Sequence, residues 1–197
     1  AGGAKLSDAE RKAQLANNKT QGSWSVAYSS KEYDFYSNGP EPEVRKLAKT
    51  LDRMHAEYKR IFKFDQDSTR PFPVHLYGSQ REFMSRTRKG PGTGGFYDGH
   101  KIVGFHGKLG SLSTESVLFH EGTHQFQGLV LGRNMWKAKI WLIEGLAVYF
   151  EACKVEGRKV KVEIPKSRLS SVRRAIRAGN HVPLATLIRM EQAQFGA

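Results

Sequence analysis

At 197 residues, with 39% hydrophobic content and one cysteine, the chain is long enough for a single domain whose core needs no disulfide. A formal charge of +13 invites a nucleic-acid reading, but no helix-turn-helix, zinc-finger or RNA-recognition signature accompanies it, and the aromatics are not interleaved with the basic clusters. Specific nucleic-acid binding is therefore not expected; attraction to an anionic polymer, an envelope surface or acidic substrates accounts for the charge as well, and no apolar run nears the ~20 residues that would cross a bilayer.

Residues 1–22 are polar, with only Leu6, Ala9, Ala13 and Leu15 as a thin apolar stripe, and predict an N-terminal arm; Ala1-Gly2-Gly3-Ala4 reads either as a processed terminus or as a cloning remnant. From Trp24 to Ser37, alternation of Tyr33, Phe35 and Ser37 against Asp34 and Tyr36 predicts strand pieces, broken by Asn38-Gly39-Pro40. A helix then starts near Pro42, where proline is tolerated, and runs through Val44, Leu47, Leu51, Met54, Tyr58 and Ile61 at helical spacing. Pro73 to Tyr77 reads as a strand and Gln80 to Arg86 as a short helix. The glycine-rich run Gly90 to Gly95 predicts a loop, and without a Walker lysine it is no phosphate cradle. Phe96-Tyr97 and Lys101 to His106 predict a hairpin around Asp98-Gly99.

Next comes His120-Glu121-Gly122-Thr123-His124. Ser113 and Thr114 offer an N-cap, Glu115 suits the first turn, and Val117, Leu118, Phe126, Leu129 and Val130 carry the helix to Gly132. On a helix, residues four apart lie on one face about 6 Å from each other, so both imidazoles reach one tetrahedral metal with Glu121 beside the open position. The motif alone arises by chance in roughly one or two chains per hundred of this composition, so the next helix matters. In Trp141-Leu142-Ile143-Glu144-Gly145-Leu146-Ala147, the helical neighbours of Glu144 are Ile140, Trp141, Ala147 and Val148, all apolar. A carboxylate with no solvated face needs a compensating cation, and a metal held by the two histidines supplies one.

Beyond this helix, Cys153 reads as a core thiol, Val160 to Ile164 as a strand, Leu169 to Ala178 as a basic amphipathic helix and Pro183 to Met190 as another. The organisation expected is an arm over 1–22 and one catalytic domain over 23–197, whose end at Phe195-Gly196-Ala197 reads as an excision or an ordering limit. No repeat is evident. One cysteine leaves the compartment open, and the basic charge favours a secreted, periplasmic or cell-envelope-associated location.

The motif and the run W-L-I-E-G-L-A-V-Y-F-E, ending at Glu151, resemble the gluzincin zinc metallopeptidases of the peptidase MA-like superfamily, whose aminopeptidase members carry W-L-N-E-G-F-A followed by an aromatic and a glutamate. An uncharacterised bacterial zincin-like branch, with strand, helix, strand, G-F-Y-D, H-E-x-x-H and W-L-x-E-G-L-A in order, is the most similar. The resemblance covers residues 25 to 155 and is specific at the two helices. It implies an α+β zincin-like fold, in which a small mixed sheet with an edge hairpin packs on a helix carrying H-E-x-x-H and a second helix carries the third ligand. Substrate would align along the sheet edge, which the resemblance places at Ile102 to His106. The aminopeptidase free-amine anchor is missing, so endopeptidase action is expected. Val148 stands where thermolysin-like members have the aspartate that orients a histidine, so another group must do this.

The chemistry expected is peptide hydrolysis. Zn2+ held by His120, His124 and Glu144 would lower the pKa of a bound water towards ~7, and Glu121 would act as general base and then return the proton to the leaving amine. No oxyanion donor is assigned; His181 and Tyr149 are the candidates after the motif, and His106 is the one of the remaining histidines expected to face the cleft. The alternative is a catalytically idle zincin fold that binds a partner or anionic polymer through its basic surface.

Overall fold

The computed structural model describes residues 6–64 and 70–195; residues 1–5, with the Ala1-Gly2-Gly3-Ala4 run, lie outside them, as do 65–69 and 196–197. Helix α1 (Asp8–Gln21) begins at a reciprocal cap, in which Glu10 N–H donates to the Ser7 hydroxyl and Ser7 N–H to the Glu10 carboxylate. It is followed by β1 (Val26–Ser29) and β2 (Tyr33–Ser37), an antiparallel pair. Helix α1 lies docked on this pair through polar anchors: Arg11 donates to Ser30 O at 2.5 Å and Asn18 to the Tyr36 hydroxyl at 3.0 Å. A thin apolar stripe does not reveal such anchoring.

Helix α2 (Glu41–Phe62) starts after Pro40 with Pro42 in its first turn, carries Glu41 and Glu43 at its positive end and Lys59 and Arg60 at its negative end, and stops where Lys63 turns left-handed. It crosses over to β3 (Phe72–Tyr77), which pairs parallel with β2; α3 (Gln80–Thr87), capped by Ser79, leads on to β4 (Gly95–Tyr97) and β5 (Ile102–Phe105). The sheet order is β1-β2-β3-β5-β4, with β3 and β5 parallel and β4 antiparallel to β5. The strand expected at the sheet edge is therefore interior: all of Ile102–Phe105 is buried between β3 and β4, and the edge belongs to Gly95–Tyr97. The hairpin was legible, but its order in the sheet is set by β3, whose parallel register with β5 leaves β4 outermost.

A two-strand ribbon, β6 (Lys108–Leu109) and β7 (Leu112–Ser113), leads into α4 (Thr114–Leu131), capped by the Ser113 hydroxyl accepting from Ser116 N–H. Helix α5 (Ile140–Glu151) packs along α4. Then follow a ribbon of β8 (Cys153–Glu156) and β9 (Lys159–Val162), α6 (Lys166–Arg177) and the single turn α7 (Leu184–Leu187). The mixed α+β architecture with a small mixed sheet is as expected.

The core sits between one sheet face and α2, α4 and α5. Tyr33, Phe35, Val74 and Leu76 meet Leu51, Met54 and Tyr58 of α2, Phe119 and Phe126 of α4 and Phe150 of α5. Strand alternation puts His75 and Tyr77 on the other face, under Trp24 and beside Phe83 of α3. Cys153 is buried in the core, where burial raises its thiol pKa to about 11, as befits a packing thiol.

Candidate metal centre

Helix α4 is fixed before the site is reached. The Thr114 hydroxyl donates to Phe105 O, and the buried Tyr58 hydroxyl donates to Phe119 O at 2.7 Å, tying α4 to β5 and α2. Gly122 lies 3.3 Å from Leu51 and Tyr58 measured from where a Cβ would stand, so the backbone at the centre of the motif presses directly on α2. The opposite face of α4 presents His120 and His124 to α5.

Their Nε2 atoms are 3.2 Å apart, and Glu144 offers Oε2 at 3.5 Å from His120 Nε2 and Oε1 at 3.6 Å from His124 Nε2. Zinc bonds of about 2.0–2.1 Å at tetrahedral angles separate donor atoms by about 3.3 Å. The three side chains thus fit one tetrahedral metal, and they are the one such cluster among the described residues.

The outer nitrogens explain why both imidazoles face inward. His124 Nδ1 lies 3.1 Å from Gln127 Oε1, and Gln127 is itself oriented by donating Nε2 to Ile143 O at 3.0 Å. His120 Nδ1 lies 3.1 Å from Glu151 Oε2. Both partners accept, so each ring, when neutral, keeps its proton on Nδ1 and frees an Nε2 lone pair for a metal. Glu151 is only 5% exposed and is gripped by Arg168 of α6, Nε to Oε1 at 2.8 Å and Nη2 to Oε2 at 2.6 Å. These are the orienting groups that the sequence required but did not name. The signals were faint: Glu151 lies seven residues, two turns, beyond Glu144 on one face, and Gln127 lies three beyond His124.

The charges are mutually compensating. Burial alone would depress His120, but the Glu144 and Glu151 carboxylates overcome it and hold its pKa at about 9. Bonds to His120 and His124 keep Glu144 ionised far below the carboxylate range. Burial opposes ionisation of Glu151, and Arg168 with His120 reverses this to about 2. Glu121 differs: burial raises its pKa, offset in part by the two histidines and by the Tyr97 main-chain N–H that donates to it.

A sign follows for the metal-free protein. His120 is raised above its unfolded value, so its contribution is complete below about pH 6.5 and lost as pH climbs through about 9. Glu151 is depressed, so its contribution is present above about pH 4.5 and lost as pH falls through about 2. Urea unfolding of chelated protein is expected to show stability from these groups declining from pH 6.5 to 9; a flat profile across that window would disprove the His120 ion pairs.

Glu144 corrects one step of the sequence argument. Ala147 is buried as expected, yet the Glu144 side chain is 34% exposed. That access depends on how α5 meets α4, which local apolar neighbours cannot report. A cleft of about 320 Å3 beside the motif is walled by Gly94 and Gly95, Leu109, Leu112, Val117 and Arg168 around His120, Glu121 and Glu151. A Cβ on Gly95 would stand 2.6 Å from Val117 Cγ1 and 2.7 Å from Val103 O, so only glycine lets the edge strand lie this close to α4. Gly95→Ala is expected to cost about 1–3 kcal/mol in denaturant unfolding through overpacking.

The other histidines do not join the site. His106 is buried with Nε2 2.8 Å from the Ser37 hydroxyl and Nδ1 3.4 Å from Glu43, so it closes the ends of β2 and β5 and does not face the cleft. His55 bonds the Tyr33 hydroxyl in the core, and His100 and His181 are exposed. Tyr149 is half exposed against Phe150 and beside Arg60 of α2. Neither Tyr149 nor His181 is among the groups lining the cleft. Arg168→Ala should leave the three ligands in place but free Glu151; a loss of metal affinity of about 10–100-fold is expected by competition titration, with Arg168→Lys restoring part of it.

In comparison with known proteins, the chain matches no family model, no curated protein and no solved structure.

Proposed function

We propose that this protein is a zinc-dependent peptidase of gluzincin type with a zincin-like fold, acting as an endopeptidase. The carrying observation is the tetrahedral spacing of His120 Nε2, His124 Nε2 and the Glu144 carboxylate, with a separate buried carboxylate, Glu121, beside them. Two imidazoles, each with a fixed outer partner, and one carboxylate suit Zn2+, which when bound would polarise a carbonyl and supply a water of pKa near ~7. Glu121 is left free of metal duty. Its raised pKa suits it to take a proton from water and hold it in a desolvated place until a leaving amine accepts it.

The edge strand β4 supports a peptide as substrate. One side of it is bonded to β5, and it lies close against Glu121, the Cβ position of Gly95 standing 3.5 Å from Glu121 Cγ, so the outer edge of Gly95–Tyr97 runs beside the proposed catalytic carboxylate. An extended peptide added there as a further strand would pass over the cleft. A secreted, periplasmic or envelope-associated location remains part of this proposal, on the strength of the basic charge.

The test is metal analysis of the purified chain together with digestion of a peptide library. About one zinc per chain and chelator-sensitive cleavage at internal bonds support the reading; stoichiometric zinc with no cleavage would favour instead the idle zincin-fold binder that acts through its basic surface.

A further inference from the structure

The metal centre leaves the C-terminal elements without a role. Between Lys154 and Met190 lie ten lysines and arginines against Glu156 and Glu163, so +8 of the net +13 is held there. The same segment exposes large apolar side chains: Val172 is 53% and Ile176 52% exposed, and Ile164, Val182 and Leu184 are open too. Helix α6 joins the two properties. At helical pitch Lys166, Arg173 and Arg177 fall within about 40° of arc, with Arg174 beside them, while Leu169, Val172 and Ile176 fall within about 60° centred roughly a quarter turn away.

The four cations line one shallow hollow with Leu169 and Ser170, and none of them forms an ion pair among the described residues. Arg168, by contrast, points to the body of the protein and is spent on Glu151. Among the described residues Arg168 is thus the α6 side chain that hydrogen-bonds to the body of the protein, and the helix presents adjoining cationic and apolar stripes outward.

We propose that the exposed face of α6, with Lys166, Arg173, Arg174 and Arg177 flanking Val172 and Ile176, docks on a bilayer bearing anionic lipid. An interfacial helix of this kind sinks its apolar stripe to the acyl boundary while flanking cations reach the headgroups. Alternative occupants fit less well. The segment has no Phe, Tyr or Trp, so it offers no stacking platform for bases. A second copy would bring a strongly cationic face against itself. A soluble polyanion would use the cations but leave Val172, Ile176 and Leu184 in water. The docking stands apart from the peptidase reading, although Arg168 would hold the metal cleft next to the lipid surface.

The test is co-sedimentation of the full chain with vesicles of phosphatidylcholine alone and of phosphatidylcholine with phosphatidylglycerol, across a salt series. Binding to the anionic vesicles only, weakening with salt, is expected. Removing cations should cost roughly fivefold each, so R173E/R174E/R177E is expected to lose on the order of 100-fold or more. V172S/I176S should lose about tenfold while keeping the salt dependence. Circular dichroism and metal content establish that both variants remain folded. The proposal is overturned by equal binding to the two vesicle types, by V172S/I176S binding as well as the parent, which would indicate a general polyanion site, or by a lipid-free dimer that V172S/I176S dissociates.

Discussion

Glu121→Gln is expected to lower peptide hydrolysis by ~10³-fold while the protein keeps its metal. Glutamine preserves the volume and the hydrogen bond from Tyr97 N–H, but cannot take a proton. The side chain is buried and is not one of the three grouped metal-binding residues, so zinc stoichiometry and thermal stability should hold. The loss should fall on kcat with KM little changed, because the proton moves only on the way to the transition state. Since burial raises the Glu121 pKa, activity of the parent should decline with falling pH at a point above the ordinary carboxylate range. Undiminished turnover by Glu121→Gln would remove this residue from the chemistry.

Glu144→Ala is expected to abolish stoichiometric zinc, with a fall in affinity well beyond the ~10–100-fold that follows loss of an outer partner such as Arg168. One of three donors goes, and this outweighs the easier deprotonation of His120 once the carboxylate that most strongly holds it protonated is gone. The His120 pKa should therefore fall from about 9, which NMR titration of the metal-free protein can follow. Folding should survive, because Glu144 is partly exposed and its removal leaves no buried orphan. Retention of one tightly held zinc by Glu144→Ala would show that the third donor lies elsewhere.

Much of this molecule was legible along the chain. The apolar spacing of Val44 to Ile61 yielded α2, the Ser113 cap placed α4 and put His120 and His124 on one face, and the alternation around Tyr33 and Phe35 yielded β2. Local rules suffice there because helix caps, turn residues and apolar periodicity act within a few residues. The ribbon of β8 and β9 was half seen, since Cys153–Glu156 follows α5 with only one residue between them and carries no strong alternation.

What failed was whatever depends on how elements meet. Ile102–Phe105 and Gly95–Tyr97 both read as hairpin strands, and only the parallel register of β3 with β5 decides that the second forms the edge beside Glu121. The apolar neighbours of Glu144 suggested a sealed carboxylate; where α5 packs on α4 its side chain is 34% exposed instead.

The sequence by itself determined the donor atoms, two imidazoles a turn apart and a carboxylate on the next helix, because residue type and helical pitch set those. Tertiary structure alone decided that Gln127 and Glu151 fix the tautomers, that Arg168 from a helix beyond locks Glu151, and that cations and apolar side chains of α6 share one open face. Hydrogen bonds and ion pairs act over about 3 Å in space, and a chain position carries no record of which distant residue will arrive within that reach.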